Sequence, residues 1–315
     1  GYLLVRRWAD KGYLPLNRRQ LGDLATAIGI GMIAGGRLGY CILYEPSLLI
    51  DFSGGFPYWG LLRVNEGGMA SHGGIIGFVG ATWWFCRKNR VPFFVVADAV
   101  GTGIPLGIFF GRVANFINGE LYGRPAGEGV PWAMHFPDSV NEHLQVVRQP
   151  DGSQFRILDA WLSERWQQFQ EVVPDAGRDL FLYQGRLQPG SDEWQFFYRW
   201  MTEARHPSQL YAAALEGLVV FVIAWACYGR HRRPGLNAGI VLATYALVRI
   251  INENWRQWDI GHDPILGLTK GQLYSLPVLA VGLGFMIWSW RRGRRPQDYQ
   301  PATPSDPVPP AEETS

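Results

Sequence analysis

His72 is a histidine whose surroundings in the sequence suit proton transfer or phosphate binding. It lies in the string GGMASHGGIIG, which begins at Gly67, and glycines flank it on both sides. Glycine permits close backbone approach, and the free N–H groups at a helix start attract anions. An imidazole in this position can act as base, acid or phosphate donor near neutral pH. A purely structural hydrogen bond is the competing interpretation for a single histidine.

A second polar cluster follows an apolar stretch in the string GRVANFINGELYGR, which runs from Gly111 to Arg124. Its polar members are Arg112, Asn115, Asn118, Glu120 and Arg124. A planar guanidinium binds phosphate at two points, and asparagine amides can orient the remaining phosphate oxygens. A helix that continued through the string would place Arg112 and Asn115 on the same face as Tyr122. The alternative is a polar helix end that is capped by its own side chains.

Four further charges lie within apolar stretches. Arg249 and Glu253 are four residues apart in RIINENWRQ, so they share a helical face, and a mutual ion pair is the plainest explanation. Arg37 and Asp98 are the others, and a buried structural partnership is an open interpretation for either. Ionisable groups in apolar surroundings are costly, so their positions mark candidate functional sites.

The composition indicates that these clusters are held by membrane helices. Only 18% of the 315 residues are charged, and the chain has 39 Gly and 14 Trp, whereas soluble domains carry about 25% charge. The net charge of +2 is too small to indicate a nucleic-acid partner. The three cysteines follow no metal-ligand or disulfide spacing, and no motif of a serine lipase, a Walker ATPase or a zincin occurs. The sequence therefore predicts neither a metal ion nor a cofactor.

Six stretches are suited to membrane helices, since a bilayer core about 30 Å thick needs about 20 mostly apolar residues. They run over Leu21–Leu43, Gly67–Phe85, Phe93–Phe110, Leu210–Tyr228, Leu236–Ile251 and Leu273–Trp290. Every second connection is rich in Arg and Lys, and the positive-inside rule assigns that side to the cytoplasm. Both chain ends are then cytoplasmic, and the region from about Arg112 to His206 faces outward. The clusters together predict a cationic pocket at the outer membrane face, open to lipid.

The predicted fold class is an all-α polytopic membrane protein, with six visible membrane helices and a small mixed extracytoplasmic head. In the head, we predict a hairpin over Gln145–Ile157 with its turn at Pro150–Gly152. Two aromatic amphipathic helices should follow, from Leu158 to Val173 and from about Ser191. The head is interpreted as a capping subdomain, with a lipid-surface or substrate-handling role as the alternative.

Five domains follow from these spans. They are residues 1–20, a stub of a missing first helix and a basic cytoplasmic turn; 21–123, membrane helices with His72 and the 111–124 string; 124–206, the head; 207–290, membrane helices with Arg249 and Glu253; and 291–315, a basic and then Pro-rich disordered cytoplasmic tail.

In their order along the chain, these strings resemble those of the bacterial prolipoprotein diacylglyceryl transferase family. The resemblance covers most of the membrane part and rests on GGRLGY from Gly35, GGMASHGGIIG from Gly67, GRVANFINGELYGR from Gly111, RHPSQLY from Arg205, and the Arg249/Glu253 pair. It implies seven membrane helices, of which the first is missing here, and an outward-facing head. It also implies a multi-pass protein of the bacterial cytoplasmic (inner) membrane with its active site toward the outer leaflet.

The resemblance further implies the reaction and the residues on which it depends. The implied reaction moves the diacylglyceryl group of phosphatidylglycerol, a membrane lipid, onto the lipobox cysteine thiol in the signal peptide of an exported prolipoprotein, and glycerol phosphate leaves. The matching positions are His72, Arg112, Asn115, Gly123, Arg249 and Glu253. Arg37, Asn118 and Glu120 complete the predicted substrate-binding set.

Physical chemistry suggests roles for these residues. The two arginines are expected to stabilise the phosphate, with Asn115 orienting its oxygens. His72 is the preferred base for the thiol, and the open alternative makes His72 a phosphate donor and Glu253 the base.

The chain departs from the family pattern in four places. No residue can stand for the important tyrosine of the family's first helix, and the head is longer than usual. Ala212 follows RHPSQLY where the family usually has Glu. Ala114 replaces a usual Gly in GRVANFINGELYGR, which is close to a family signature and is called the signature string below.

Two other functions are alternatives to this one. A transporter or scramblase of anionic lipids would also use a cationic pocket between helices, although the sequence shows no repeated half. An intramembrane protease is the other alternative, but adjacency alone cannot make a catalytic dyad of Ser71 and His72.

Overall fold

The computed structural model describes residues 1–52, 56–127, 129–148, 154–228, 233–257 and 267–292, without the side chains of Ser71, 146–148 and 154–155. Helices make up most of the described chain, as the predicted fold class requires. The predicted disordered tail lies outside the described residues beyond Arg292, where the last helix ends.

The described helices, in chain order, are α1 (Tyr2–Asp10), α2 (Arg18–Leu43), α3 (Ser71–Lys88), α4 (Phe93–Ile117), α5 (Ala160–Val172), α6 (Leu180–Arg186), α7 (Asp192–Met201), α8 (Ser208–Ala212), α9 (Val220–Tyr228), α10 (Leu236–Asn252) and α11 (Lys270–Arg292). A π-helical segment, Ala213–Val219, joins α8 to α9. The strands are β1 (Met134–His135), β2 (Leu144–Arg148), β3 (Gln154–Leu158) and β4 (Ala204–Arg205). Short 3-10 turns cover Pro46–Leu49, Gly60–Leu62, Val64–Glu66, Pro137–His143 and Pro174–Ala176.

All six stretches predicted as membrane helices are helical, with bounds that differ by a few residues. By length and composition, four helices can cross a membrane: Arg18–Leu43, Phe93–Ile117, Ser208–Tyr228 and Lys270–Arg292. Of the other two, α10 is apolar but shorter, and α3 has 18 residues and ends in Arg87 and Lys88. The chain is consistent with a polytopic membrane protein, and its six crossings stay a prediction.

Two compact units divide the chain. The first comprises Gly1–Gly107, Val220–Thr244 and the residues from Val278 on, and the second comprises Ile108–Val219 and Tyr245–Pro277. The predicted domain bounds follow the crossings of the membrane instead, and they stay a prediction.

In the first unit, α2 and α3 pack through a row of glycines on each helix. Gly31, Gly35 and Gly39 of α2 face Gly73 and Gly77 of α3. A Cβ atom on Gly39 would lie 2.8 Å from the Cα atom of Gly73, which is too close for any larger residue. Small residues let helix backbones approach closely in a bilayer, which explains the glycine content of this pair. The contact fixes the first turn of α3.

The N-terminal residues contribute to the hydrophobic core of the first unit. Trp8 of α1 is 5% exposed, and its ring centre lies 4.1 Å from that of Tyr228. Asn17 caps α2 by accepting a hydrogen bond from the backbone N–H of Gln20 at 2.8 Å. Residues 1–20, predicted as a stub and a turn, thus form the packed helix α1, its connection and the first residues of α2.

Asp98 of α4 is a structural partner, one of the interpretations that the sequence left open. Its carboxylate accepts hydrogen bonds from the backbone N–H groups of Gly235 at 2.8 Å and Ala238 at 2.7 Å. Carboxyl oxygens can accept hydrogen bonds from the unpaired N–H groups at a helix start. Asp98 therefore caps α10 from another helix.

The second unit contains the residues of the predicted head, which have a hydrophobic core of their own. Phe169, Phe197 and Met201 of α5 and α7 are fully buried together. The two predicted amphipathic helices are confirmed as α5 and α7. They begin where Asp159 and Ser191 accept hydrogen bonds from backbone N–H groups three residues later.

The predicted hairpin is also confirmed, since β2 and β3 pair antiparallel from Leu144 opposite Leu158 to Arg148 opposite Gln154. Its predicted turn at Pro150–Gly152 lies outside the described residues.

Candidate functional site

A buried carboxylate that sequence reasoning missed, Glu216, joins Arg112 to Arg249 in the second unit. Arg112 Nη2 lies 3.1 Å from Glu216 Oε2, and Arg249 Nη1 lies 3.0 Å from Glu216 Oε1. Asn252 Nδ2 donates a further hydrogen bond to Glu216 Oε1 at 2.9 Å. The Glu216 side chain is fully buried, whereas the Arg112 and Arg249 side chains are 20% and 11% exposed. One carboxylate therefore holds two guanidinium groups that keep some accessible surface.

Three helical elements build this bridge: α4 carries Arg112, α10 carries Arg249, and the π-helical segment carries Glu216. Such π-helical turns recur at functional sites. The sequence did contain a signal, because Glu216 is the acidic residue inside the predicted membrane stretch Leu210–Tyr228. Ala212, where the family usually has Glu, is buried one helical turn before it. Glu216 is therefore the carboxylate that the stretch Leu210–Tyr228 contributes to the site.

Glu253 contacts Arg249 less closely than Glu216 does. Arg249 Nη2 lies 3.5 Å from Glu253 Oε2, while Thr269 Oγ1 donates to Glu253 Oε1 at 3.1 Å. A Cβ atom on Gly271 would lie 2.6 Å from either carboxylate oxygen, so that glycine packs directly against the acid. Glu253 Oε2 is buried and accepts no hydrogen bond from the described residues. The expected ion pair is present, and one oxygen of Glu253 remains able to accept a hydrogen bond.

The signature string continues the helix beyond its predicted end at Phe110, because α4 runs to Ile117 and carries both Arg112 and Asn115. Glu120 Oε1 accepts a hydrogen bond from Asn118 Nδ2 at 3.2 Å. It also accepts one from the Asn115 amide nitrogen at 3.1 Å when that amide is turned so that its nitrogen faces acceptors and its oxygen faces donors. These contacts support the capping interpretation for the three residues. Their roles toward substrate stay predictions.

Tyr122 does not share a helical face with Arg112, because the helix does not continue through the whole string. The helix ends before Gly119, whose φ of 73° turns the chain out of the helix. Tyr122 lies beyond this turn.

Gly123 lies where three segments of the second unit meet. Its backbone N–H donates to the carbonyl of His206 at 2.9 Å, and the N–H of Arg124 donates to the carbonyl of Trp255 at 3.1 Å. A Cβ atom on Gly123 would lie 2.6 Å from the His206 oxygen. Glycine is therefore required here for close backbone packing, whatever its predicted role toward substrate.

Arg205, the first residue of RHPSQLY, links the signature loop to the head. Its Nη2 lies 2.8 Å from Glu142 Oε2, its Nη1 donates to the carbonyl of Gly123 at 3.3 Å, and its guanidinium carbon lies 5.1 Å from the ring centre of Tyr122. Burial raises the pKa of the Tyr122 phenol, and its hydrogen bond to Glu142 raises that pKa further. Tyr122 therefore stays protonated and donates to Glu142.

His72 and Arg37 lie in the first unit, whereas the arginine pair and Glu253 lie in the second. His72 is the second residue of α3 and is exposed. Arg37 is 4% exposed and donates only to backbone carbonyls among its described contacts: Gly60 at 2.7 Å, Leu61 at 3.0 Å, Gly67 at 2.6 Å and Gly68 at 3.1 Å. Arg37 thus organises the loop that leads into α3, and its predicted contact with substrate stays a prediction.

Comparison with known proteins gives a consistent result over nearly the whole chain. Residues 1–288 match the model of the family described as prolipoprotein diacylglyceryl transferase. A phosphatidylglycerol–prolipoprotein diacylglyceryl transferase of Bdellovibrio bacteriovorus is 36% identical over 93% of this chain and 89% of its own length. That of Proteus mirabilis is also 36% identical, over 97% of this chain and 86% of its own length. The chain therefore belongs to the prolipoprotein diacylglyceryl transferase family.

Proposed function

We propose that this protein transfers the diacylglyceryl group of phosphatidylglycerol to the lipobox cysteine thiol in the signal peptide of an exported prolipoprotein and releases glycerol phosphate. The observation that carries the proposal is the pair Arg112 and Arg249, held on Glu216 inside a membrane helix. A pair of guanidinium groups suits the phosphate of an anionic lipid, and the names of the relatives give phosphatidylglycerol and prolipoprotein as their substrates.

The chemistry requires one proton acceptor and one stabilised leaving group. A base takes the thiol proton, and the thiolate sulfur attacks the glyceryl carbon that carries the phosphate. A C–S bond forms as the C–O bond breaks, and the electron pair of that bond leaves on the phosphate oxygen. Arg112 and Arg249 stabilise the charge that develops there. Asn115 orients phosphate oxygens in this scheme, and the other proposed substrate-binding residues are Arg37, Asn118, Glu120 and Gly123.

Two side chains can take the thiol proton. His72 is exposed in the first turn of α3, and an imidazole can accept a proton from a thiol. Glu253 Oε2 is buried and accepts no hydrogen bond within the described part of the chain, and Arg249 lies closer to Glu216 than to Glu253. These contacts leave Glu253 Oε2 able to accept a proton, which supports Glu253 as a base more than its spacing to Arg249 does. Variants of His72 and Glu253 separate the two candidate bases.

The proposed topology has six crossings by the visible helices, cytoplasmic chain ends, and the head on the outer side of the bacterial inner membrane. Basic residues at the ends of α3 and α11 support this orientation under the positive-inside rule. The head has more acidic than basic residues between 124 and 206. This balance favours a cap in the aqueous phase over a surface bound to anionic lipid. The predicted domains 1–20, 21–123, 124–206, 207–290 and 291–315 follow this topology.

The test reconstitutes the protein into vesicles with phosphatidylglycerol and a lipobox peptide, and the mass of the peptide is then measured. Addition of one diacylglyceryl group is expected, and none with a peptide in which serine replaces the cysteine. The variant Arg112→Gln should abolish the addition, whereas Arg178→Gln, on the exposed surface of the head, should not. Movement of phosphatidylglycerol between leaflets without modification of the peptide would instead support the lipid-transporter alternative.

A further inference from the structure

The fully buried carboxylate of Glu216 has no step of its own in the transfer chemistry. Both of its oxygens are engaged with guanidinium groups, at 3.1 Å and 3.0 Å, and Asn252 holds it as well. A carboxylate that is buried and held by three donors stays in place when a ligand arrives. The phosphate must therefore bind to a pair of arginines that already share one negative charge.

We propose that Glu216 is an internal counter-anion that lets the protein release its phosphate product. The inference rests on the proposed function. Its physical basis is the difference in charge between substrate and product at one site.

The substrate phosphate is a diester with one negative charge, whereas the glycerol phosphate that leaves is a monoester with close to two negative charges near neutral pH. Two unpaired guanidinium groups would therefore attract the product more strongly than the substrate. The protein would then be inhibited by its own product, because the anion that must leave would be the better ligand.

Glu216 counteracts this preference because it repels the two anions unequally. Repulsion between Glu216 and a phosphate is proportional to the phosphate charge, so it acts about twice as strongly on the monoester as on the diester. The contacts in the structure contribute two positive charges from Arg112 and Arg249 and two negative charges from Glu216 and Glu253. A balanced set of charges can bind the monoanionic lipid through directional hydrogen bonds without favouring the dianion.

Glu216 also positions the arginines, since its two oxygens bind one guanidinium each. A positioning role alone predicts that any loss of Glu216 weakens the binding of every anion. The counter-anion role predicts the opposite for the product, which should bind more tightly once the charge is removed. The sign of the change in product affinity therefore separates the two roles.

The experiment measures the binding of two soluble anions to the full chain in detergent at neutral pH: glycerol phosphate, a monoester, and glycerophosphoglycerol, a diester. The unaltered protein should bind the two with affinities that differ by less than about tenfold, because the charges that face them are balanced. Glu216→Gln keeps the size and the carbonyl oxygen of the side chain but removes its charge. Its affinity for the monoester should rise about tenfold or more relative to the diester, and turnover should fall through product inhibition.

Two control variants accompany Glu216→Gln. Glu216→Asp keeps the charge and should keep the ratio of the two affinities, and Glu164→Gln removes an exposed charge on the head and should leave all values unchanged. Weaker binding of both anions by a folded Glu216→Gln would leave positioning as the sole role and overturn the inference.

The unaltered protein tests the inference even if Glu216→Gln does not fold. Monoester binding more than about tenfold tighter than diester binding would overturn it, as would binding of neither anion. A protein that binds both anions with similar affinity but modifies no peptide would support the balanced site and contradict the proposed transfer, so the two failures are distinguishable.

Discussion

A single methyl group added at Gly35 should separate α2 from α3. The Cβ atom of Gly35→Ala would lie 2.9 Å from the Cα atom and 3.0 Å from the N atom of Gly77, and against the carbonyl oxygen of Gly73. Ordinary contacts at such atoms are about 3.5–4.0 Å. All three contacting atoms belong to the backbone, so no side chain can move aside. The helices themselves must shift by roughly half to one ångström.

The energetic cost can be isolated by comparison with Gly29→Ala on the same helix, where nothing lies within 4 Å of the added Cβ atom. Both variants gain the helix preference of alanine over glycine, which is about 0.8–1.0 kcal/mol. Only Gly35→Ala suffers the overpacking, which costs about 1–3 kcal/mol. The free energy of unfolding should therefore differ between the two variants by about 1–3 kcal/mol, with Gly35→Ala the less stable.

The assay is equilibrium unfolding in detergent, followed by tryptophan fluorescence, together with the rate of transfer to a lipobox peptide. Because His72 directly precedes Gly73, Gly35→Ala should also lower the transfer rate under conditions in which the protein remains folded. Equal stability and equal rates in the two alanine variants would refute the close glycine contact. The proposed link from this contact to His72 would then fail as well.

Other substitutions test the site and one helix cap. Arg112→Lys and Arg249→Lys should each lower turnover by about tenfold or more, because lysine keeps the charge but loses the fork that binds phosphate and Glu216 together; near-normal turnover in both would exclude this role. His72→Gln should lose turnover but still bind lipid, and a peptide thiol that is already ionised at high pH should restore the rate if His72 is the base. If high pH restores the turnover of Glu253→Gln but not that of His72→Gln, Glu253 is the base. Asp98→Asn should destabilise the protein by about 1 kcal/mol in thermal unfolding, since a neutral amide is a weaker partner for two helix N–H groups, and an unchanged midpoint would contradict the capping role.

The helices could be predicted from the sequence because each is a long apolar stretch with polar or basic residues at its ends. The same reasoning located the hairpin and the two amphipathic head helices, whose periods differ clearly. The end of α4 cannot be placed from the sequence alone, because Arg112 and Asn115 resemble the polar start of a loop, yet a helix continues readily through polar residues when their side chains can pair. Boundaries of this kind depend on contacts with distant residues.

The residues of the site could be found in the sequence more easily than the contacts between them. Arg249 and Glu253 are neighbours at helical spacing, so local reasoning paired them, whereas the closer partner of Arg249 is Glu216, which is 33 positions away in the chain. Partners on different helices become visible only once the helices are packed. Local spacing also could not show that Arg37 donates to the carbonyls of a loop, since every residue has a backbone carbonyl and none of them can be singled out from the sequence.

The backbone hydrogen bonds made by Gly123 and Arg124 have a consequence for the order in which the site forms during translation. Gly123 donates to the carbonyl of His206 and Arg124 donates to that of Trp255, and these two acceptors leave the ribosome some 80 and 130 residues later than the signature string. Synthesis proceeds at about 5–20 residues per second, so the string is complete several seconds before His206 and Trp255 are added to the chain. The loop is therefore completed only when nearly the whole chain has been translated. A nascent chain released before Trp255 lacks these backbone hydrogen bonds, so the site cannot be completed until α4 and α10, which precede its segments, have been synthesised.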